Sequence, residues 1–272
     1  MRLRKNQPGY RKGKDAIGRT AWVKEVVPAQ QLGNQSDHPL EDFQALQGNH
    51  IDAQDVVDNL SAVGLYAYLA GDMHDEFYHS YSSDTPSLEA INDVVEPSDH
   101  TMKPKGAFWL SKGNTDNNGL ITTDWMNFVR EEALSFMSDT ANLVSCEFKN
   151  DAVILEFQGN DDIGKLLDLD CLIWKGNYQN GTYEEVEEYQ DENGNWQEDY
   201  VEYQITKTMI AEKPIKYCAI DYPKLRECGI DAIRVQGDKF RTFDNAFYGW
   251  DVDSIAILRG DCLKGIHQSQ SK

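Results

Sequence analysis

The chain has 272 residues and a formal charge of −20 at pH 7, and 40% of its residues are hydrophobic. That apolar content supports a real core and excludes a chain that is disordered throughout. The excess of acids excludes binding of nucleic acid across the whole surface, because like charges repel at long range. No apolar run approaches the roughly 20 residues of a membrane-spanning helix, so we expect no membrane partner.

The five cysteines are widely spaced and form no Cys-x-x-Cys pair: Cys146, Cys171, Cys218, Cys228 and Cys262. A disulfide framework or a zinc ribbon would show paired, regular spacing. The basic N-terminus also lacks the apolar stretch that follows it in a secretory signal. We therefore expect free thiols and a cytoplasmic protein, located in the host cytoplasm if a bacteriophage encodes it.

Residues 1–24 carry eight basic side chains and a single acid, Asp15. A segment of this kind, with glycine and proline and few apolar anchors, is typical of a mobile arm. We expect a mobile basic arm over residues 1–35, followed by one domain over residues 36–272. The arm is either a solvated tail or a contact surface for an acidic partner or nucleic acid.

Apolar spacing and turn residues predict the elements in chain order. The first half contains a helix over 52–70 capped by Asp52, a strand over 76–81, a helix between Thr85 and Pro97, a strand over 107–111, and a helix from Thr123 or Asp124 to Met137. The second half contains strands over 142–147 and 152–157, a helix over 161–169, a strand over 172–174, strands over 215–220 and 232–235 around a helix ending at Gly229, and a strand over 254–258. This irregular alternation indicates an α+β fold.

Residues 178–210 are predicted to be an inserted β-hairpin, because two runs with Tyr, Val and Ile flank the turn Asn193-Gly194. Nine acidic residues and no basic residue lie between Glu184 and Glu202. An acidic hairpin can imitate the charge of nucleic acid or bind a basic partner. Alternatively, its charge keeps a solvated excursion soluble.

The sequence offers little support for a metal site. His74 and His79 lie five residues apart, whereas the helix of a zinc protease places its two histidines four apart on one face. The Asp251-x-Asp253 pair supplies two carboxylates, which is a weak signal for a divalent ion. Phosphate-binding glycine loops and a Gly-x-Ser-x-Gly motif are absent from the sequence. We therefore predict no metal cofactor.

Three separated pieces are more specific, because they share an order. They are FYHSY at 77–81 with LEAI at 88–91, GAFWLS at 106–111, and GIDAI at 229–233 with SIAIL at 254–258 and LKGI at 263–266. In this order they resemble the ADP-ribosyltransferase family. The resemblance implies a split β-sandwich with small helices, carrying the hairpin as an insertion. It also implies NAD as the donor of ADP-ribose, and a protein or a nucleic acid as the acceptor.

The resemblance assigns residues to an NAD site. His79 is placed on the first strand to hydrogen-bond the nicotinamide ribose, with Ser80 beside it. A flat nicotinamide stacks on flat side chains, and the candidates for this contact are Tyr78, Tyr81, Phe108 and Trp109. Ser111 matches the serine that ends the second strand in the arginine-specific branch of the family.

The family's catalytic glutamate opens the last strand and stabilises positive charge on the sugar as nicotinamide leaves. When Leu263-Lys264 sets the register, Ser254 occupies that position and cannot offset the charge as a carboxylate does. Asp253 and Asp251 are the nearest acids, and a β-bulge could re-aim either one.

Three hypotheses stay open. In the first, the protein transfers ADP-ribose from NAD and uses Asp251, Asp253 or Ser254 in catalysis. In the second, it is a catalytically silent binding module that acts on a host or viral partner through the hairpin or the basic arm. The third hypothesis is a virion structural protein, which fits the acidity of the chain but has no motif of its own.

Overall fold

In its structure, a computed structural model, the chain forms two compact units, residues 1–38 and residues 39–272. The described residues are 10–14, 20–24, 52–81, 85–98, 102–115, 119–132, 142–176, 178, 181–191, 193–240, 246–247 and 249–269. In the first unit, β1 (Tyr10–Lys14) and β2 (Thr20–Lys24) pair as an antiparallel hairpin. The sequence predicted no element within the basic arm, so this pairing was missed.

The second unit is richer in strands than in helices. Its described strands are β3 (Tyr66–Leu69), β4 (Phe77–Tyr81), β5 (Phe108–Thr115), β6 (Ile121–Thr123), β7 (Asn142–Phe148), β8 (Val153–Phe157), β9 (Leu172–Trp174), β10 (Thr182–Gln190), β11 (Trp196–Gln204), β12 (Cys218–Ile220), β13 (Ala232–Gln236), β14 (Asp253–Ile257) and β15 (Leu263–Ser269). Its described α-helices are α1 (Ala53–Ala62), α2 (Asp124–Glu131), α3 (Asn160–Lys165), α4 (Lys207–Glu212), α5 (Pro214–Tyr217) and α6 (Tyr222–Glu227).

The central sheet has the strand order β15-β7-β4-β5-β14-β13-β8-β3, and β6 pairs with β5 outside that path. Within this sheet β13 and β8 are parallel, and the other pairings are antiparallel. Two short pairings are separate from it, β9 with β12 and β10 with β11. A large mixed sheet with few helices is an α+β architecture, which confirms that part of the prediction.

Alternation along the strands gives the central sheet two buried faces. Leu110 and Ile255 belong to the apolar cluster on one face. Val235 belongs to the larger cluster on the other face, together with Leu60 of α1 and Leu225 of α6. Burying each such side chain contributes about 1.5–3 kcal/mol relative to leaving it in water. The strands that carry the predicted site residues are therefore anchored from both sides.

Two predicted helix starts are confirmed. The Asp52 carboxylate accepts a hydrogen bond from the backbone N–H of Gln54 at 2.9 Å, which caps α1. The Thr123 hydroxyl accepts one from the N–H of Met126 at 3.1 Å, which caps α2. A side chain that satisfies a free N–H at a helix start is worth about 1 kcal/mol. The predicted continuation of this second helix to residue 137 lies outside the described residues.

The predicted helix over 52–70 is wrong beyond Ala62. Gly64 adopts a positive φ of 81°, which L-amino acids with a Cβ rarely adopt, and this ends the helical path. Residues Tyr66–Leu69 then form β3 and pair with β8. Val63 and Ala67 continue the helical spacing of the apolar residues, which is why periodicity alone extended the helix.

The helix predicted between Thr85 and Pro97 is also wrong, because only a 3-10 turn forms, over Leu88–Ala90. The backbone N–H of Val94 instead donates to the carbonyl of Leu258 at 2.8 Å. The backbone nitrogen of a helical Val94 would bond within its own helix, so this contact competes with helix formation. A long-range backbone contact of this kind leaves no local sequence signal.

The predicted hairpin is present, but its predicted end at residue 210 is wrong. Thr182–Gln190 pairs with Trp196–Gln204 around a turn in which Gly194 has a φ of 82°. After the hairpin, Ile205 and Ile210 are buried in the core, and the second of them lies in α4. A strand was also predicted over 215–220, but its first three residues belong to α5. The hairpin proper therefore covers residues 182–204.

Candidate functional site

The three pieces of sequence that share an order meet as neighbouring strands. β5 lies between β4 and β14 in the central sheet. Tyr78 lies opposite Ser111 on the adjacent strand, and Ser111 lies opposite Ser254 on the next. Side chains in such a row project from the same face of a sheet. The sheet therefore aligns three of the predicted site residues in one row.

Alternation along each strand separates several other predicted residues from this row. His79, Phe108 and Asp253 each lie an odd number of positions from a member of the row, so they project from the opposite face. Trp109 lies two positions from Ser111 and shares its face. The predicted nicotinamide and catalytic residues thus lie on both faces of the sheet. A ligand resting on one face cannot contact both sets through their side chains.

His79 on β4 lies close to β5, as its predicted role requires. Its Nδ1 lies 2.8 Å from the carbonyl oxygen of Trp109, and its ring stacks on Phe108 with centroids 4.2 Å apart. A carbonyl only accepts, so Nδ1 carries the proton and donates it, which leaves Nε2 as an acceptor. Burial lowers the pKa of His79 below its usual value, and the Trp109 carbonyl partly opposes this. The ring is therefore neutral at pH 7.

The other predicted cofactor residues hold the surrounding loops and helix together. The Tyr78 hydroxyl donates to Glu76 at 2.7 Å, and the Ser111 hydroxyl accepts from the backbone N–H of Trp125 in α2 at 2.9 Å. Ser80 and Tyr81 lie within hydrogen-bond reach of two threonine hydroxyls, those of Thr123 and Thr85. Each of these groups already has a partner in the protein.

Trp109 packs against a second tryptophan instead of presenting an open ring face. Its ring meets Trp250 edge-on with centroids 4.7 Å apart, and Trp250 is only 1% exposed. The Lys103 ammonium lies 5.7 Å from the Trp109 centroid, a cation–π distance. Trp109 is therefore engaged by the core on one side and by a cation on another.

A buried charge cluster occupies the face that carries Asp253, and sequence reasoning missed it. Its centre is Arg234 on β13, which is 8% exposed. Arg234 Nε and Nη2 donate to the two carboxylate oxygens of Asp253 at 3.1 and 2.7 Å. The same Nη2 donates to Asp75 at 2.7 Å, and Nη1 lies 3.6 Å from Glu156. One guanidinium thus contacts three carboxylates from separate strands and loops.

Further polar groups complete this Arg234 cluster. Lys112 lies 2.8 Å from the second oxygen of Asp75. The ammonium of Lys112 and the guanidinium of Arg234 hold the pKa of Asp75 below its usual value. Glu156 accepts hydrogen bonds from the amides of Gln158 and Gln236 at 2.7 and 2.8 Å. Burial raises the pKa of neighbouring Tyr68 to about 12, although Arg234 opposes this.

These contacts decide what the predicted catalytic residues can do. Asp253 makes a bidentate pair with a buried arginine, so its charge is already compensated. Ser254 is 8% exposed, and its hydroxyl donates to the carbonyl of Val252 at 3.0 Å. Asp251 precedes β14, is half-buried and has a polar or electrostatic interaction within the protein. The structure brings Asp253 and Ser254 to the expected strand but commits both to structural contacts.

The hairpin presents a second surface of interest. Cross-strand pairing puts Val186 opposite Tyr200, with Gln190 opposite Trp196 on the same face. Val186, Trp196 and Tyr200 are 50%, 63% and 67% exposed. This face also carries two directly opposed pairs of glutamates, Glu184 with Glu202 and Glu188 with Glu198. We call these residues the acidic aromatic face.

An open hollow of 520 Å³ lies at the tip of this face, lined by Glu188, Trp196, Gln197 and Glu198. Directly opposed like charges oppose strand pairing, so these charges do not stabilise the hairpin itself.

Among the described residues, no group of three or more His, Cys, Asp or Glu side chains is arranged to hold a metal ion. No helix in the described part of the chain is long and apolar enough to cross a membrane. Comparisons with protein-family models, curated proteins and solved structures found no match to this chain. Function is therefore inferred from the geometry of the strands, the Arg234 cluster and the hairpin.

Proposed function

We propose that this protein is an ADP-ribosyltransferase-like binding module that does not transfer ADP-ribose and that binds a basic protein partner through its hairpin. The observation that carries the proposal is the bidentate pair of Asp253 with buried Arg234. The carboxylate nearest the family's catalytic position is thereby used to compensate an internal charge.

The arrangement of the strands supports the family resemblance. The pieces at 77–81, 106–111 and 254–258 are far apart in sequence and adjacent in the sheet, and His79 touches both Phe108 and Trp109. The split β-sandwich that the resemblance implies is part of this proposal. The α+β architecture is compatible with it.

Electrostatics argue against transfer. When nicotinamide leaves, positive charge develops on the ribose, and an uncompensated carboxylate close to it lowers the barrier. Asp253 shares its negative charge with Arg234 in a buried pair, which leaves little field for a ligand. Ser254 is neutral and buried. Asp253 and Ser254 also project from opposite faces of β14, so they cannot act together on one sugar.

ADP-ribose transfer is the second candidate, and His79 favours it. Because Nδ1 donates to the Trp109 carbonyl, Nε2 is left as an acceptor that a ribose hydroxyl could use. This feature is equally useful to a module that binds NAD without cleaving it. Nicotinamide release separates the two candidates, because binding alone does not produce it.

The acidic aromatic face indicates the chemistry of the partner. Its glutamates attract cations, and its exposed tryptophan and tyrosine rings favour arginine, whose planar guanidinium stacks on aromatic faces and pairs with carboxylates. Nucleic acid is disfavoured by the same charges. The expected partner is therefore a protein segment rich in arginine.

Two experiments test the two parts of the proposal, the absence of ADP-ribose transfer and the binding of a basic protein partner. Incubation of the protein with labelled NAD and a cell lysate should leave no label on protein or nucleic acid. Label that depends on the protein would contradict the catalytically silent role. Binding is measured by fluorescence anisotropy with a labelled peptide of alternating arginine and glycine.

A matched pair of variants locates the binding face. Glu188→Gln with Glu198→Gln removes two charges from the acidic aromatic face. Glu185→Gln with Asp199→Asn removes two charges from the other face of the same hairpin, where both acids are also exposed. We expect the first pair to weaken peptide binding by about tenfold, or 1.4 kcal/mol. Equal weakening by both pairs would show that net charge acts without a specific face, and self-association at equal affinity would identify a second copy as the occupant.

A further inference from the structure

Two cysteines outside the central sheet and the hairpin lie side by side. Cys171 lies just before β9 and is fully buried, and Cys228 caps the end of α6 and is partly exposed. Their sulfur atoms lie 3.9 Å apart although 57 positions separate them in sequence. Two thiols in contact, one of which reaches the surface, form an arrangement that a lone cysteine cannot provide.

The surrounding contacts hold the two thiols in place. The backbone N–H of Asp221, at the start of α6, donates to the carbonyl of Cys171 at 3.0 Å. Lys224 pairs with Asp170, the residue before Cys171. The Cys171 thiol also lies 3.3 Å from the carbonyl of Leu169. Helix α6 and the residues before β9 are thus linked by backbone, ionic and thiol contacts.

The two thiols differ in pKa. The pKa of Cys228 is lowered, first because the Cys171 thiol hydrogen-bonds to it and also because the Lys224 ammonium lies nearby. The same hydrogen bond and burial raise the pKa of Cys171. Burial raises the pKa of Cys146 and of Cys218 to about 12. Because the thiolate is the nucleophile, Cys228 is the thiol best prepared to react.

We infer that Cys171 and Cys228 form a dithiol oxidation site, in which Cys228 reacts with a small disulfide and Cys171 then closes an internal disulfide. The Cys228 thiolate attacks one sulfur of oxidised glutathione and expels one glutathione thiolate. The Cys171 thiol loses its proton and attacks the Cys228 sulfur of the mixed disulfide, expelling the second glutathione. Two protein thiols are oxidised, and one glutathione disulfide is reduced to two thiols.

The test uses the full chain with oxidised glutathione as the probe. After the remaining thiols are alkylated, trypsin digestion without reductant places Cys171 in the peptide 166–175 and Cys228 in the peptide 227–234. Mass spectrometry should find these two peptides joined, with Cys146, Cys218 and Cys262 alkylated. Absence of the joined peptides, with glutathione on one of the other three cysteines, would overturn the inference.

Two variants resolve the order of the steps. In Cys171→Ser, we expect glutathione to stay attached to Cys228, because the resolving thiol is missing. In Cys228→Ser, we expect Cys171 to be unmodified, because it is fully buried. Glutathione retained on Cys228 in the unaltered chain would contradict the role of Cys171. The unaltered chain decides the inference alone if either variant fails to fold.

Discussion

Replacing Arg234 with methionine removes the cation at the centre of the buried charge cluster while keeping a long apolar side chain. Asp253 and Glu156, whose side chains are 10% and 5% exposed, then lose their positive partner. Removing one partner of a buried ion pair typically costs about 3–5 kcal/mol, because the remaining charge is buried without compensation. We therefore expect Arg234→Met to lower the free energy of unfolding by about that amount at pH 7.

A matched control is available in the same cluster. Lys112 pairs with Asp75, but both side chains are about one-third exposed, at 33% and 32%. Exposed pairs contribute about 0–1 kcal/mol, so Lys112→Met should cost far less than Arg234→Met. Urea unfolding followed by circular dichroism gives both values, provided that the m-value is unchanged. Equal small losses in the two variants would refute the view that Arg234 is the essential counter-charge of Asp253.

Three further predictions concern other parts of the chain. Gly237→Ala should prevent folding, because a Cβ at this position would lie 1.4 Å from the Trp250 carbonyl oxygen. At Gly194 an added Cβ meets no atom within 4 Å, so Gly194→Ala should cost only about 1–2 kcal/mol of backbone strain, which thermal unfolding will measure. The folded-state pKa of His79 is lowered, so its contribution to stability should be complete above the unfolded value of about 6.5 and decline as the pH falls below it; an NMR titration that gave a pKa above 6.5 would contradict this. Replacing residues 184–202 with a two-residue turn should preserve the melting temperature, whereas deletion through residue 210 should unfold the domain, because Ile210 is in the core.

The sequence could predict elements whose signals are local. These are the caps at Asp52 and Thr123, the turn at Asn193-Gly194 and the strand predicted over 76–81 and observed over Phe77–Tyr81, each of which depends on a few adjacent residues. The errors occurred where distant backbone contacts outweighed local periodicity. Pairing with β8 made residues 66–69 a strand although their apolar spacing continued that of a helix.

The candidate site shows the same limit. The resemblance assigned His79, Phe108 and Trp109 to one site, and His79 contacts the Phe108 ring and the Trp109 carbonyl because their strands are neighbours. The role of Asp253 was not predictable, since its partner Arg234 lies 19 positions away on another strand. That Asp253 and Ser254 project from opposite faces of a strand was visible in the sequence. Which face held the charge cluster was not, because Asp75, Glu156 and Arg234 come from separate parts of the chain.

Nicotinamide release from NAD distinguishes a silent binding module from a transferase, because it reports cleavage of the glycosidic bond without requiring an acceptor. Chromatography would compare the unaltered protein with Asp253→Asn at matched folded fractions. We predict no release above the uncatalysed rate from either protein. Release by the unaltered protein that falls by about 10²–10³ in Asp253→Asn, the loss typical of one transition-state interaction, would show that Asp253 is catalytic and that its pairing with Arg234 does not silence the site.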